Sequence, residues 1–484
     1  MIGLIALIVA FLDFRTGALL TVVVGFAQDL LRKADPDQSP YWLALVLIFF
    51  AATVAGAAFR GQHRFWRRRD WMDIRLPALL FMGVLLAQGF VSILRYRFPL
   101  MAFIGFAAYV GPPAALVLGY WLGQRHDLMR RLLFFYVLAS AAMASGIFFH
   151  QAGYDWALLK PIGGGLRVYS LVHGAVNLPQ GFFRVPEVAA WHCATAACAT
   201  VLLATSKRRF GFSPYLFMGL TIYFLWATIA TGRRKALGEI IVFVGLYGFL
   251  LVWVRGRVGR FGGIIVAAVL LGMWGLERVG LSGQEATITS MQDRNSAEQG
   301  KAYERLVRNI RDLPEVVKFN GPFGRGLGTL TQGGYHAGAD VEWGVVNEGG
   351  LARVVGELGV IGGLAFLWLL YRFVGNLRRK LPALRSQTMA EASFVLGILG
   401  LLGANVVVFV SAHQIFGDPF VYLLLGLFAG FATVSLDVIA FTAAAREEVV
   451  ARSTAPTSSA DLVSGPRTPG DVSIGPSPAS GLSA

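Results

Sequence analysis

The chain is poor in charge. Only 15% of its 484 residues are Asp, Glu, Lys or Arg, while 55% are apolar and 13% aromatic; a soluble domain carries about 25% charged residues. That shortage excludes a water-soluble body. Cysteine is scarce as well: Cys193 and Cys198 stand five apart inside one apolar run, without Cys-x-x-Cys spacing. They read as packing residues, so no disulfide framework or cysteine-based metal site follows. Acidic residues are fewer than basic ones, 28 against 43, for a formal charge of +15. The excess does not mark nucleic-acid binding, because Lys and Arg cluster between apolar runs, where they set topology, and no basic-aromatic module is present. Internal repeats are missing too: the two halves differ in loop length and in where their charges fall.

What is present is a succession of apolar runs long enough to cross a hydrocarbon core of about 30 Å. They fall at 41–59, 76–94, 99–122, 132–149, 187–205, 214–231, 236–254, 262–278, 351–373, 391–412 and 419–443. Residues 1–31 are also apolar but are broken by Asp13-Phe14-Arg15, which makes either one long interrupted helix or two short half-helices. Lacking a basic start and a small-residue cleavage site, this stretch reads as an anchor. The predicted fold class is all-α, a polytopic membrane protein of about twelve transmembrane helices. Its parts are N-terminal membrane helices over 1–278, a large polar segment over 279–350, C-terminal membrane helices over 351–445, and a tail over 446–484. The tail is rich in Ser, Thr, Ala, Pro and Gly and is expected to be disordered and cytoplasmic.

Alternate short loops carry the basic clusters Arg64-to-Arg69, Arg125 with Arg130 and Arg131, Lys207 to Arg209, Arg255 with Arg257, and Arg378 to Lys380. By the positive-inside rule these loops are cytoplasmic, so 150–186 and 279–350 face outward. Basic residues on the outward side therefore need another cause: Arg95, Arg97, Lys160, Arg167, Arg184, Arg233, Arg234, Lys235, Arg278, Arg294, Arg305, Arg308, Arg311 and Arg325. Lipid head groups or salt bridges account for single members. As a set they predict a site for an anionic ligand, since Arg makes bidentate charge-assisted bonds to phosphate.

Within the polar segment, Leu306, Ile310, Leu313 and Val317 form an apolar stripe at helical spacing, and Pro314 is expected to end or kink that helix near Leu313. The glycines of Gly321-Pro-Phe-Gly-Arg-Gly-Leu-Gly-Thr lack the Lys-Ser/Thr of a phosphate loop and read as a set of turns. Two charge pairs stand four apart at the heads of apolar runs, Lys235 with Glu239 and Arg353 with Glu357, and each is expected to meet on one helix face. Asp13, His150, His173, His192, His413 and Asp437 form no constellation along the sequence.

Three features in order carry a likeness: Thr231-Gly-Arg-Arg-Lys-Ala at an outward turn, then PFGRGLGT over 322–329, then Asn347 with Leu351 and the ELGVIGG of 357–363. Together they resemble the O-antigen ligase/polymerase family of bacterial surface polysaccharide assembly, over roughly residues 214–373. The resemblance implies an inner-membrane glycosyltransferase whose active site faces the periplasm. It implies transfer of an undecaprenyl-diphosphate-linked glycan to a second lipid-linked glycan or to lipid A core, without cofactor, metal or nucleotide sugar. Implied partners are that lipid-linked glycan, membrane lipid and other polysaccharide-assembly proteins, with no nucleic acid. Arg233 or Arg234 with Arg294 or Arg305 would hold the diphosphate, with Arg325 and Asn347 beside them. Where the family has His-Asn this chain has Val346-Asn347, so the base falls to His336 or Glu348, and polymerase or exopolysaccharide synthesis is favoured over lipid A ligation. The alternative class is a polyisoprenoid-glycan flippase or other secondary transporter, which would more often show two related halves; a cell-wall glycan polymerase shares only the general layout.

Overall fold

A computed structural model describes residues 2–60, 71–162, 167–170, 174–205, 214–256, 307–331 and 348–454. Among these, ten helices are long and apolar enough to cross a membrane. The chain is a multi-pass helical membrane protein, as its shortage of charge predicts. It divides into a unit over Met1–Ala440 and a second over Phe441–Ala484.

The N-terminal run resolves into two helices, α1 (Ile2–Leu12) and α2 (Phe14–Ala34). Asp13 causes the break: its carboxylate accepts from the Arg15 N–H at 3.1 Å and the Thr16 hydroxyl at 2.6 Å, capping the start of α2. Then come α3 (Ala44–Phe59), α4 (Met72–Tyr96), α5 (Pro99–Gly123) and α6 (His126–Gln151). A short antiparallel hairpin, β1 (Arg167–Ser170) and β2 (Gly174–Asn177), interrupts the otherwise helical order. The body continues with α7 (Pro186–Thr205), α8 (Pro214–Ala230), α9 (Arg234–Arg255), the short α10 (Leu313–Asn320), α11 (Gly350–Lys380), α12 (Met389–Ser411) and α13 (Pro419–Thr454). The expected span at 262–278 lies outside the described residues, as does most of the polar segment.

Helix α7 stands at the centre. Ala189, Ala190, Ala194, Ala197, Cys193 and Cys198 are at most 1% exposed, and such small side chains let α6, α8, α9 and α12 approach closely. Close approach is also built into the α5–α13 crossing, where a Cβ on Gly119, Gly426 or Gly430 would run into backbone of the facing helix.

Helix ends collect at two faces. At one, Asp73 on α4 meets Arg372 at 3.4 Å and Arg379 at 2.7 Å on α11, Lys380 pairs with Asp437, and Arg255 donates to the Arg385 carbonyl at 2.7 Å. At the other, Arg184 bridges Asp29 at 3.3 Å and Asp418 at 2.6 Å, while Lys235 meets Glu348 at 2.8 Å. The first face gathers the short loops predicted to be basic; the second gathers the ends predicted to face away from them.

The glycine-rich stretch is indeed a set of turns, and its packing explains its composition. Gly359 has φ +72° and interrupts α11, so the carbonyls of Gly356 and Glu357 lose their normal partners. Arg325 and Gly326 supply replacements, with N–H bonds of 2.8 and 3.1 Å, and Val360 N–H returns one to Pro322 at 2.9 Å. On the other side, the Ser92 hydroxyl donates to the Leu327 carbonyl at 2.8 Å and the Gln88 amide to the Phe323 carbonyl at 2.7 Å. Irregular backbone at membrane depth survives only when protein satisfies its polar groups, and this wedge between α4, α5 and α11 does so. The N–H groups of Arg325, Gly326 and Leu330 are spent on α11.

Of the helix expected around Leu306–Val317, Leu306 lies outside the described residues; the break expected near Leu313 falls at Asp312, and Pro314 stands in the first turn of α10, where proline's missing N–H is harmless. Ile310 is 49% exposed, and the inward residues are Asn309, Val316 and Asn320. Asn309 is drawn in by hydrogen bonds to the Val410 and Ser411 carbonyls at 3.3 and 3.2 Å.

Candidate functional site

The second face carries the candidate site. Phe420, second residue of α13, packs its ring 4.9 Å from Phe26, eight residues before the end of α2, so α13 starts beside the last turns of α2. The loop that leads into it runs from Ala412 to Asp418.

Two polar groups line this face. The deeper one is fully built from buried ions: Arg184 is 11% exposed, Asp29 4% and Asp418 2%. Asp418 Oδ1 also accepts from the Phe420 N–H at 2.7 Å and so caps α13. Burial alone would lower the Arg184 value, but Asp418 and Asp29 hold its guanidinium above the ordinary one. Lys33 adds bonds to the Gly181 and Leu158 carbonyls at 2.6 and 3.0 Å. With two cations and two anions, this group staples loop 178–185 to the ends of α2 and α13; it is a structural lock.

The shallower group is open. Lys235, second residue of α9, is 47% exposed and meets the 59% exposed Glu348 carboxylate just before α11. The Glu348 carbonyl accepts twice from His413, from its backbone N–H and from its ring Nδ1–H, both at 2.9 Å. A carbonyl can only accept, so the proton sits on Nδ1 and leaves Nε2 with its lone pair. Burial pushes the His413 ring down to about 4, and the nearby Arg353 charge adds to the effect against the pull of Glu348. At neutral pH the ring is therefore an uncharged base, held in one tautomer.

Of the residues singled out in the sequence, the structure gathers Arg233, Arg234 and Glu348 at this face. Arg233 sits in the turn before α9 and pairs with Glu187 at the start of α7. Arg234 opens α9 and is half-buried. Arg325 belongs to the glycine wedge, its guanidinium 4.6 Å from the Phe319 ring centroid. Arg308 and Arg311 are exposed. Arg294, Arg305, His336 and Asn347 lie outside the described residues.

One expected pair is replaced. Lys235 does not turn to Glu239 but reaches Glu348, and Glu239, 0% exposed, is held instead by neutral donors. Thr195 and Asn405 donate to its Oε1 at 2.9 and 3.1 Å, and Trp191 donates to Asn405 at 2.7 Å. A lysine one turn from a helix start extends to the membrane surface at less cost than it follows a buried carboxyl inward. The other pair forms as expected, with Arg353 Nε 3.6 Å from Glu357 Oε1 and both side chains buried.

Spacing along the chain placed His413 in no constellation. The histidine lies 65 residues from Glu348, and only the antiparallel return of α11 and α12 joins them. The chain matches no protein-family model and no curated protein.

Proposed function

We propose that the protein is a bacterial inner-membrane glycosyltransferase of about twelve spans that polymerises or transfers undecaprenyl-diphosphate-linked glycan units at the periplasmic face. The observation that carries this reading is a neutral, tautomer-fixed His413 beside Lys235 and Glu348, on the face where Arg233 and Arg234 gather. Such a set suits an inverting displacement. Nε2 of His413 takes the proton of the acceptor hydroxyl as its oxygen bonds the anomeric carbon. The bond from that carbon to the diphosphate oxygen breaks, and the leaving charge is met by Arg233 or Arg234, joined by Arg294 or Arg305 from the polar segment. Glu348 holds the base in place through its carbonyl. His336 remains an alternative base and Asn347 an alternative contact. Surface-polysaccharide synthesis, the periplasmic orientation and work alongside other assembly proteins follow from the same reading.

A second reading, a lipid-linked glycan flippase, is favoured by one feature: α11 is broken at Gly359 and carries a buried charge pair in its outer half, as helices at transport sites do. Purified protein incubated with undecaprenyl-diphosphate oligosaccharide separates the two. A ladder of longer products supports a polymerase, and one shifted band with lipid A core supports a ligase. Unchanged substrate, with transport in liposomes, refutes the enzyme.

A further inference from the structure

The Arg353–Glu357 pair in the outer half of α11 has chemistry left over. Arg353 is 4% exposed and Glu357 0%, yet among the described residues Nε and Nη2 of the arginine and Oε2 of the glutamate make no hydrogen bond of good geometry. Their mutual approach, 3.6 Å from Nε to Oε1, is longer than a hydrogen bond. Glu357 Oε1 accepts from the Leu330 N–H of the glycine wedge at 3.0 Å, and the Tyr109 hydroxyl lies against both side chains. Buried donors and acceptors in native proteins are almost always paired, and a helix site leaving both kinds open calls for a partner supplying both kinds. The pair is neutral overall, so a phosphate that satisfied Arg353 would face Glu357 Oε2. A hydroxyl faces no such conflict, because it donates and accepts at once. Two neighbouring hydroxyls of a sugar ring match the donors on Arg353 and the acceptor on Glu357. The arginine is already fixed over the Tyr109 ring, 5.5 Å from its centroid, with its planar fork oriented before any ligand arrives.

We propose that Arg353 and Glu357 form a subsite for the hydroxyl groups of an uncharged sugar, separate from the arginines that meet the diphosphate. It rests on the glycosyltransferase reading only for the identity of the whole substrate. Removing one partner would leave a buried unpaired charge, so the decisive variant removes both: Arg353→Met with Glu357→Gln keeps volume and neutrality.

Saturation-transfer NMR on detergent-solubilised protein suits weak binding, with methyl glycosides of a hexose, a 6-deoxyhexose and an N-acetylhexosamine as probes. At least one should give signal with the wild type and bind about tenfold or more weakly to the double variant, while Arg233→Ala retains it. Equal binding by the double variant, or no signal from any glycoside with the wild type, overturns the subsite. So does inorganic pyrophosphate that displaces the glycoside from wild type and itself binds less well to the double variant, since that marks an anion site. Glycoside binding lost in the double variant, in a protein that neither extends nor transfers lipid-linked glycan, keeps the subsite and removes the transferase reading alone.

Discussion

His413 offers a sharp test because its charge and its geometry are linked. In an unfolded chain its ring titrates at an ordinary 6.5, whereas in the folded protein burial and Arg353 bring that down to about 4. A drop of this size corresponds to about 3 kcal/mol at about 1.36 kcal/mol per pH unit. The sign follows from which state binds the proton. Above pH 6.5 neither state does, and the histidine leaves stability independent of pH. Between pH 6.5 and 4 the unfolded chain takes up the proton and the folded one resists, so stability falls as pH falls, and it levels off below 4. His413→Gln has no such proton. Unfolding by sodium dodecyl sulfate in mixed micelles, followed by tryptophan fluorescence at pH 7.5 and pH 4, measures both proteins. The wild type should lose up to about 3 kcal/mol more than the variant across that range. Parallel losses in the two proteins would refute the depressed histidine. The same residue sets an activity limb: as the base of the free enzyme it should keep kcat/KM level with falling pH until near 4, and a limb near 6.5 would point to another base.

Three further outcomes are expected. Arg184→Ala, which strands the buried Asp29 and Asp418, should cost about 3–5 kcal/mol in the same unfolding assay; a loss below about 1 kcal/mol would mean the staple is a surface pair. Gly328→Ala places a methyl against the Met101 carbonyl at φ +86°, and overpacking of this kind costs about 1–3 kcal/mol, whereas Gly83→Ala, with open space around it, should be near neutral. Cysteines at Lys160, 59% exposed, and Arg379, 63% exposed, should react from opposite sides: with an impermeant thiol reagent on intact cells, position 160 labels and 379 does not. The buried Cys193 and Cys198 keep the background low, and labelling of 379 alone inverts the topology.

The membrane helices were legible because each is a single apolar run, and burial in lipid demands little else of a sequence. Arg353 with Glu357 was legible for a similar reason, being a contact within one turn of helix. The glycine stretch was legible as turns but not as a wedge, because its hydrogen-bond partners lie far off, at Gln88 and Ser92 on one side and Gly356 to Val360 on the other. Lys235 misled: helical spacing offered Glu239, while the fold supplied Glu348 at the surface, 113 residues away. His413 and Arg184 could not be found from spacing at all, since each acts through elements joined only in three dimensions.

The sheltered position of α7 bears on how the protein is made. This helix is less apolar than α6 and α12 and is the most enclosed of the spans, with Glu187 at its head and Thr195, Thr200 and His192 along its length. A segment of that composition partitions from the translocon into lipid less readily than α6 or α12. Its stable place is among its neighbours, and α8, α9 and α12 are synthesised after it. Integration of α7 must therefore wait for later helices, so a nascent chain arrested after residue 205 should hold this segment at the translocon while α6 has already moved into the bilayer.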